Sequence, residues 1–239
     1  MNQPASDKLT YYLLKNVNKA IRDFDLIADG DRVAVAVSGG KDSCSLLHLL
    51  RARQRIVPER YHLVALHVEA KVADYPHLRP VLEPWFCESG VDYAFVPLNL
   101  PPGEPLPLDC FRCSWNRRKA LFLKAHELGC NKLAFGHHAD DAVETTLLNL
   151  FYSGRLETMA PSVQLFDDQI TVIRPLIYLE ERRLGQLART LGVSYSEASC
   201  PHNQTSKRAW VKKWLRQSGA DYRQIRTNLW RVARRNSKP

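Results

Sequence analysis

A hexapeptide near the start of the chain combines residue types that bind a phosphate group. Ser38–Ser43 reads SGGKDS and follows an apolar run, RVAVAV, at 32–37. Adjacent glycines let backbone N–H groups approach an anion closely, and a following helix N-terminus adds a positive dipole. Ser38 and Ser43 add hydroxyl groups that can donate hydrogen bonds, and Lys41 adds a positive charge. The loop is therefore predicted to cradle phosphate, the alternative being a glycine turn that serines cap.

The loop differs from two common nucleotide-binding motifs. A Walker A loop would need a glycine where Val35 stands and a serine or threonine where Asp42 stands. The two adjacent glycines, Gly39 and Gly40, do not fit the GxGxxG spacing either. A carboxylate inside a phosphate loop makes sense if Mg²⁺ bridges Asp42 to pyrophosphate. This favours a site that splits ATP between its α and β phosphates.

A second polar motif, GHHADD at 136–141, follows another apolar run. Gly136 at the end of a strand would leave room for a nucleotide. Asp140 and Asp141 stand where a helix begins, so each could cap that helix or hold Mg²⁺. We expect one of them only to cap the helix and the other to be functional. The adjacent histidines resemble a metal pair, but neighbouring side chains project in different directions.

Two further residues stand at the ends of predicted strands. His67 ends the second strand, and we expect it to line an adenine pocket. Arg174 precedes a proline, and we expect it to contact phosphate. In an open parallel sheet, ligands bind beyond the carboxyl ends of the strands, which is where both residues would lie.

Three cysteines stand in polar surroundings. Cys110 and Cys113 form a CxxC pair at the start of a helical run, and Cys200 lies in the polar loop SEASCPHNQTSKR. Thiolates at a helix start are stabilised by backbone N–H groups. Alone, the pair could be redox-active, half of a metal site, or chance. With Cys200, it could hold a [4Fe–4S] cluster with one open iron, or zinc completed by His202 or another group.

The other three cysteines, Cys44, Cys87 and Cys130, lie in or beside apolar helical runs and are predicted to be packing residues. The chain has no apolar run of the roughly 20 residues that span a bilayer, and its first residues do not resemble a secretory signal. We therefore expect a cytoplasmic protein without a membrane partner, whose cysteines are reduced or metal-bound.

The positive charge is concentrated in one part of the sequence. The 239 residues carry a formal net charge of +9, and the segment 207–239 contains eleven lysines and arginines but one acidic residue, Asp221. Such a block indicates a nucleic acid or another polyanion as partner. The alternative is a solvated basic helix face. The tryptophans and tyrosine interleaved with these charges could stack on bases or belong to the core.

The pattern of apolar residues alternates between strands and helices, which predicts an α/β fold with a doubly wound, mostly parallel sheet. We expect a domain at 1–178, including an N-terminal helix, and a helical, basic segment at 179–239. The predicted strands are 32–37, 61–68, 91–96, 132–136 and 169–174, and the predicted helices are 8–28, 41–53, 77–88, 112–128 and 140–152, with further helices after 179.

The loop SGGKDS after a strand resembles the PP-loop of the N-type ATP pyrophosphatases. The order of the motifs further resembles the tRNA 2-thiocytidine synthetase (TtcA) family, over about residues 10–216. The motifs that carry this resemblance are the PP-loop, CxxC followed by Arg117 and Arg118, GHHADDAVETTLLNLFYSGRL at 136–156, RPL at 174–176 and a late cysteine.

The resemblance implies an ATP-dependent tRNA sulfurtransferase that adenylates a pyrimidine at C2 and replaces its oxygen with sulfur. The family's ligand positions correspond to Cys110, Cys113 and Cys200, which would hold a [4Fe–4S] cluster whose open iron carries the sulfur. ATP and Mg²⁺ would bind to Ser38–Ser43. The resemblance also implies tRNA as substrate, a sulfur donor such as a cysteine desulfurase or free sulfide, and a homodimer.

The resemblance to the related 2-thiouridine synthetases implies two catalytic positions, which join Lys41 and Asp42 of the loop as expected catalytic residues. Asp141 is favoured over Asp140 by its spacing from Cys113. A catalytic lysine of those enzymes corresponds to Arg117, which can stabilise an oxyanion or phosphate but is a poor base.

The late site departs from the usual family pattern, since Cys200 is followed by Pro-His-Asn rather than by a second CxxC-like pair. Cytidine is the expected target, and uridine remains open. The alternative is another PP-loop tRNA-modifying enzyme, either a 2-thiouridine synthetase or one like lysidine synthetase, with a structural zinc site.

Overall fold

A computed structural model describes residues 3–69, 77–101, 103–104, 108, 110–192 and 206–236. Its centre is a six-stranded sheet in the order β3-β2-β1-β4-β6-β5, in which all neighbours are parallel except β5 and β6. This confirms the doubly wound, mostly parallel sheet. The strands are β1 Arg32–Ala36, β2 His62–Glu69, β3 Asp92–Pro97, β4 Lys132–Ala134, β5 Ser162–Leu165 and β6 Ile170–Ile173.

Helices cover both faces of the sheet. In the described residues they are α1 Gln3–Asp23, α2 Lys41–Gln54, α3 Arg79–Ser89, α4 Cys110–Glu127, α5 Ala139–Ser153, α6 Glu181–Thr190, α7 Lys207–Arg216 and α8 Tyr222–Asn236, with a 3₁₀ turn at Gly219–Asp221. None of the helices in these ranges is both long and apolar enough to cross a membrane.

The central strand shows why both faces are covered. Val33 and Val35 of β1 belong to an apolar cluster that includes side chains of α1, α2 and α6. Ala34 and Ala36 belong to a cluster on the opposite face, with side chains of α4. Because successive strand residues point to opposite faces, a continuous apolar strand is stable only between two helical layers.

The sheet topology places a crevice beside β1. From β1 the chain proceeds outward to β2 and β3, then returns to β4 on the other side of β1. The connections that leave the carboxyl ends of β1 and β4 therefore diverge, and such a switch point is where open α/β sheets bind ligands. The two predicted motifs, 38–43 and 136–141, follow these two strands.

One strand of the sheet was not predicted. The sheet gains β5, which pairs with β6 through a turn in which Phe166, Asp167 and Asp168 all have positive φ. The strand, SVQL, is short and partly exposed, so its sequence carries little periodic signal.

Cys87 was wrongly expected to pack inside the protein. It is exposed on α3, and its Sγ lies 3.5 Å from the hydroxyl of Tyr93.

The segment after residue 178 packs on the sheet domain. α6 contributes Leu184 and Leu187 to the main apolar cluster, and α7 contributes Val211 and Leu215 to a smaller cluster with α5. The proposed division at residue 178 stays a prediction.

Candidate functional site

The loop Ser38–Ser43, which resembles a PP-loop and is called the PP-loop below, forms the tight connection between β1 and α2. Gly39 has φ +84°, and a Cβ there would collide with the side chain of Leu78, so glycine is required. The hydroxyls of Ser38 and Ser43 lie 3.1 Å apart, and Ser43 Oγ also accepts the N–H of Ser38 at 3.1 Å. α2 begins at Lys41, directly after Gly40. The loop therefore presents a helix N-terminus and two hydroxyls at the switch point.

The end of β4 approaches this loop closely at Gly136. A Cβ at this position would lie 3.0 Å from both the carbonyl carbon of Asp42 and the amide nitrogen of Ser43. Real Cβ atoms rarely tolerate such a contact with backbone, which has little freedom to move away. Glycine here brings the two motifs into contact, as their positions after neighbouring strands require.

A cavity of about 440 Å³ opens between the PP-loop and α4. Its walls are apolar side chains of β1, β2 and α4, and its polar lining comes from three elements. The polar lining residues are Ser38, Asp42 and Ser43 of the PP-loop region, His137 and Asp141 after β4, and Cys113, Ser114, Arg117 and Arg118 of α4. This one cavity is thus lined by a phosphate loop, two carboxylates, a thiol and two guanidinium groups.

A second cavity, of about 640 Å³, lies on the other side of Asp42 and Asp141, which line both. Its charged lining combines acidic groups of α2, α5 and α6 with basic groups of α2 and α7. These are Lys41, Asp42, Asp141, Glu144, Glu181, Arg208, Lys212, Lys213 and Arg216.

Asp42 and Asp141 form the junction of the two cavities. Burial raises the pKa of Asp42, although His138 and Lys41 act in the opposite direction. Its Oδ1 is buried and has no hydrogen-bond partner among the described residues. Asp141 accepts the backbone N–H of His138 at 2.9 Å and pairs with Arg208 at 3.2 Å. Asp141 therefore caps α5 and still lines both cavities.

Asp140 has different surroundings. One of its oxygens accepts the N–H of Glu181 at 2.7 Å, at the start of α6, and the other lies 3.3 Å from Arg226 of α8. It lines neither of the two cavities that meet at Asp42. Asp140 thus connects α5 to α6 and α8, whereas the helix cap that was expected of one of the two aspartates is formed by Asp141. Which of the two is functional stays a prediction.

Lys41 is held between two carboxylates. Its Nζ lies 3.1 Å from both Asp42 Oδ2 and Glu181 Oε1. Burial would lower the pKa of Lys41, but these two carboxylates outweigh it and raise the pKa. Glu181 also pairs with Lys212 at 2.8 Å; although burial acts against ionisation, Lys212 and Lys41 lower the pKa of Glu181 to about 2. An ionised Glu181 therefore joins the PP-loop to α7.

Glu144 is the least solvated acid of the second cavity, with 5% of its surface exposed. Burial raises its pKa to about 7, and Lys212, whose Nζ lies 3.9 Å away, acts in the opposite direction. Near neutral pH this carboxyl group is therefore poised between its two protonation states.

The cysteine positions are described in part. Cys113 is partly buried and lines the first cavity, one helical turn after Cys110, where α4 begins. Cys200 and His202 lie outside the described residues, and so does the side chain of Cys110. Within the described part of the chain, no three metal-ligating side chains converge.

His67 and Arg174 contact backbone rather than the cavities. His67 is 3% exposed, and its Nδ1 lies 2.8 Å from the carbonyl oxygen of Val37, beside the PP-loop. Arg174 donates to the carbonyl of Ala160, while its Nε is buried with no partner in the described residues. Neither residue lines the two cavities. Their assignments to adenine and phosphate stay predictions.

Comparison with known proteins identifies the family. The chain is 40% identical to the tRNA-cytidine(32) 2-sulfurtransferase of Syntrophotalea carbinolica over 231 residues, which cover 93% of this chain and 88% of the relative. It is also 40% identical to the enzyme of that name from Geobacter sulfurreducens, over 95% of this chain and 90% of the relative. The chain belongs to the tRNA-cytidine(32) 2-sulfurtransferase family. A family model described as a PP-loop domain matches residues 116–221.

A solved structure confirms the fold of this family member. The U34-tRNA thiolase NcsA from Methanococcus maripaludis, solved with its [4Fe-4S] cluster, superimposes with a TM-score of 0.77 at 23% identity. The superposition covers 96% of this chain and 79% of that chain.

Four charged residues of the site were not predicted from the sequence. Glu144 stands three residues after Asp141 on the same helix, so helical spacing could have indicated it. Arg208 and Lys212 belong to the basic segment, which was predicted only as a whole to contact tRNA. Glu181 had no local signal, because only the packing of α6 against α2 brings it to Lys41.

Proposed function

We propose that this chain is an ATP-dependent tRNA sulfurtransferase that replaces the C2 oxygen of a cytidine, at position 32, with sulfur. Family membership at 40% identity supports the reaction and its target. The observation that carries the proposal is that Cys113 and the PP-loop residues Ser38 and Ser43 line the same cavity. A single bound nucleotide could therefore meet both the activating ATP and the sulfur source.

The PP-loop would bind the triphosphate of ATP with Mg²⁺. Backbone N–H groups at the start of α2 and the charge of Lys41 would hold the β and γ phosphates. Asp42 and Asp141 offer oxygen ligands, which Mg²⁺ prefers. The buried Oδ1 of Asp42, without a hydrogen-bond partner in the described residues, supports this role because a cation would satisfy it.

The chemistry proceeds by activation and displacement. O2 of the cytosine attacks the α phosphorus, a new P–O bond forms, and pyrophosphate leaves. Sulfide then adds at C2 as the nucleophile, and the C2–O2 bond breaks with AMP as the leaving group, so no change of oxidation state is needed. Arg117 lines the cavity, and a guanidinium group is a poor base, so it would stabilise negative charge on the transferred adenylyl group rather than move a proton.

The cysteines are proposed to hold an iron–sulfur cluster. Cys113 lies one turn from Cys110 at a helix start, where N–H groups favour thiolates, and the first turn of α4 has no acidic residue. Cys110, Cys113 and Cys200 would hold a [4Fe–4S] cluster, which supplies an iron position for the sulfur atom to be transferred. The sulfur donor would be free sulfide or a cysteine desulfurase.

We also propose that the segment 179–239 completes the site and contacts tRNA. Arg208 and Lys212 of α7 support this, because they pair with Asp141 and Glu181 beside the PP-loop. A homodimer and a cytoplasmic location, where tRNA and ATP are available, are part of the same proposal.

The test uses protein purified without oxygen and incubated with tRNA, ATP, Mg²⁺ and sulfide. We expect AMP and pyrophosphate to form only when tRNA is present, and about four iron atoms and four sulfides per chain. Zinc without sulfide would instead indicate a PP-loop ligase with a structural metal. Absence of tRNA-dependent pyrophosphate release from protein that holds its metal would contradict the proposal.

A further inference from the structure

Four aromatic side chains lie exposed where the end of α5 meets α7. The exposed fractions are 43% for Phe151, 48% for Tyr152, 50% for Trp210 and 43% for Trp214. We call these four side chains the aromatic ledge. Because exposed aromatic surface is unfavourable in water, a cluster of this kind marks a contact with a partner.

The tryptophans lie beside the face through which α7 packs on the protein. Val211 and Leu215 of α7 are buried against apolar residues of α5. Trp210 and Trp214 are one turn apart on an adjacent stripe, and both rings contact Phe151 edge to face, at 6.2 and 5.4 Å between centroids. The rings therefore hold one another in position while they stay exposed to solvent.

The charges around the ledge identify the kind of partner. α7 reads KRAWVKKWLR, with five basic residues and no acidic one. The Nζ of Lys207 lies 4.4 Å from the centroid of the Tyr152 ring. A partner must therefore offer both negative charge and flat apolar faces, and unpaired nucleotides offer both. A second copy of this chain in a two-fold contact would bring two such basic helices together, which repulsion opposes.

The ledge is continuous with the site already described. Arg208 and Lys212, on a neighbouring stripe of α7, lie 3.2 Å from Asp141 and 2.8 Å from Glu181, respectively. One helix therefore carries both the ledge and part of the lining of the second cavity. An RNA loop bound on the ledge would lie next to the PP-loop.

We infer that the aromatic ledge is the docking surface for unpaired bases of the tRNA loop that carries the target cytidine. The bases stack on Trp210 and Trp214, and the cations of α7 neutralise the neighbouring phosphates. The inference rests on the proposed function, because it takes tRNA to be the substrate.

The double variant Trp210→Ala/Trp214→Ala tests the ledge. Its Kd for labelled tRNA, measured by fluorescence anisotropy, is expected to rise about tenfold or more, because base stacking on an aromatic ring contributes substantially to affinity. Its Kd for ATP is expected to stay unchanged. The matched control is Tyr11→Ala/Tyr12→Ala, which removes two rings that are 58% and 47% exposed on α1, and is expected to bind tRNA like wild type.

The salt dependence separates stacking from charge. Loss of the two tryptophans is expected to leave the slope of log K against log salt concentration unchanged. Replacement of Lys207 and Lys213 by alanine is expected to reduce the magnitude of that slope by about 0.7 for each phosphate contact removed. Trp210→Phe/Trp214→Phe keeps aromatic faces and is expected to recover most of the affinity. If the alanine double variant does not fold, as judged by circular dichroism, the single variants Trp210→Ala and Trp214→Ala decide, with the same expected direction.

The outcomes distinguish the ledge from the function. A wild-type protein that neither binds nor thiolates tRNA would overturn the proposed function itself. Wild-type binding and thiolation together with a tryptophan variant that behaves like the tyrosine control would overturn the ledge alone. Dissociation of a dimer by the tryptophan substitutions, with tRNA affinity per subunit retained, would also overturn it and assign the surface to self-association.

Discussion

At the scale of single residues, Glu144 shows how burial and nearby charge act together in the second cavity. Its carboxyl group is almost fully buried, 3.9 Å from Lys212, and burial raises its pKa to about 7. A buried carboxylate without full compensation costs stability when it ionises. Glu144 shares the second cavity with Asp42 and Asp141, so these three carboxyl groups lie there together.

Glu144→Gln is expected to change how stability depends on pH. The pKa is raised on folding from its ordinary 4.5, so the stability associated with protonated Glu144 is complete below pH 4.5 and is lost as pH rises through about 7. At pH 8 the variant should therefore be more stable than wild type, by about 3 kcal/mol at most. Urea unfolding between pH 5 and pH 8 measures this, with exposed Glu127→Gln as control. Equal pH dependence in wild type and Glu144→Gln would refute the argument.

Cys113→Ala is expected to separate activation from sulfur transfer. The substitution removes a thiol from the first cavity but leaves the PP-loop intact. Iron content and thiolated nucleoside should fall to background, whereas binding of ATP and of tRNA should persist. Cys87→Ala, which removes an exposed cysteine of α3, is the matched control and should keep full activity. Normal thiolation by Cys113→Ala would exclude this residue as a cluster ligand.

The elements that hold the site could largely be read from the sequence. The strands before both motifs are continuous apolar runs, which identified them as central parallel strands, and their order placed SGGKDS and GHHADD at one edge. The contact between α6 and the PP-loop could not be read, because the ion pair from Glu181 to Lys41 joins residues 140 positions apart. The basic segment was predicted to carry tRNA-binding aromatics or core residues. The structure packs Tyr222 and Trp230 in apolar clusters and leaves Trp210 and Trp214 exposed, so core packing is confirmed for the first two and tRNA binding by the other two stays a prediction.

Gly136→Ala tests the contact between β4 and α2. Its Cβ would press on the backbone of Asp42 and Ser43 at 3.0 Å, so the PP-loop must shift. We expect ATP affinity to fall at least tenfold and the free energy of unfolding to fall by about 1–3 kcal/mol. Gly185→Ala is the control, because its Cβ meets only the end of the Arg189 side chain at 3.9 Å and a helical alanine is favoured over glycine. Wild-type ATP affinity in Gly136→Ala would show that the close approach is not needed.

At the scale of the whole molecule, three sets of side chains converge on one edge of the sheet. The switch point between β1 and β4 holds the PP-loop, α4 brings Cys113 to the same cavity, and α7 closes the adjoining cavity with cations. Opposite charges are already paired across this edge, so charged substrates would exchange existing ion pairs for new ones. This arrangement explains how activation and sulfur transfer could occur on one bound nucleotide.

The most direct test is nucleoside analysis of tRNA treated with the purified protein. Unmodified tRNA, ATP, Mg²⁺ and sulfide are incubated with the oxygen-free protein, and the digested tRNA is examined by mass spectrometry. We expect 2-thiocytidine to form only with ATP, in an amount equal to the AMP released in the presence of tRNA. A protein with its full iron and sulfide content that forms no thiolated cytidine would contradict the account.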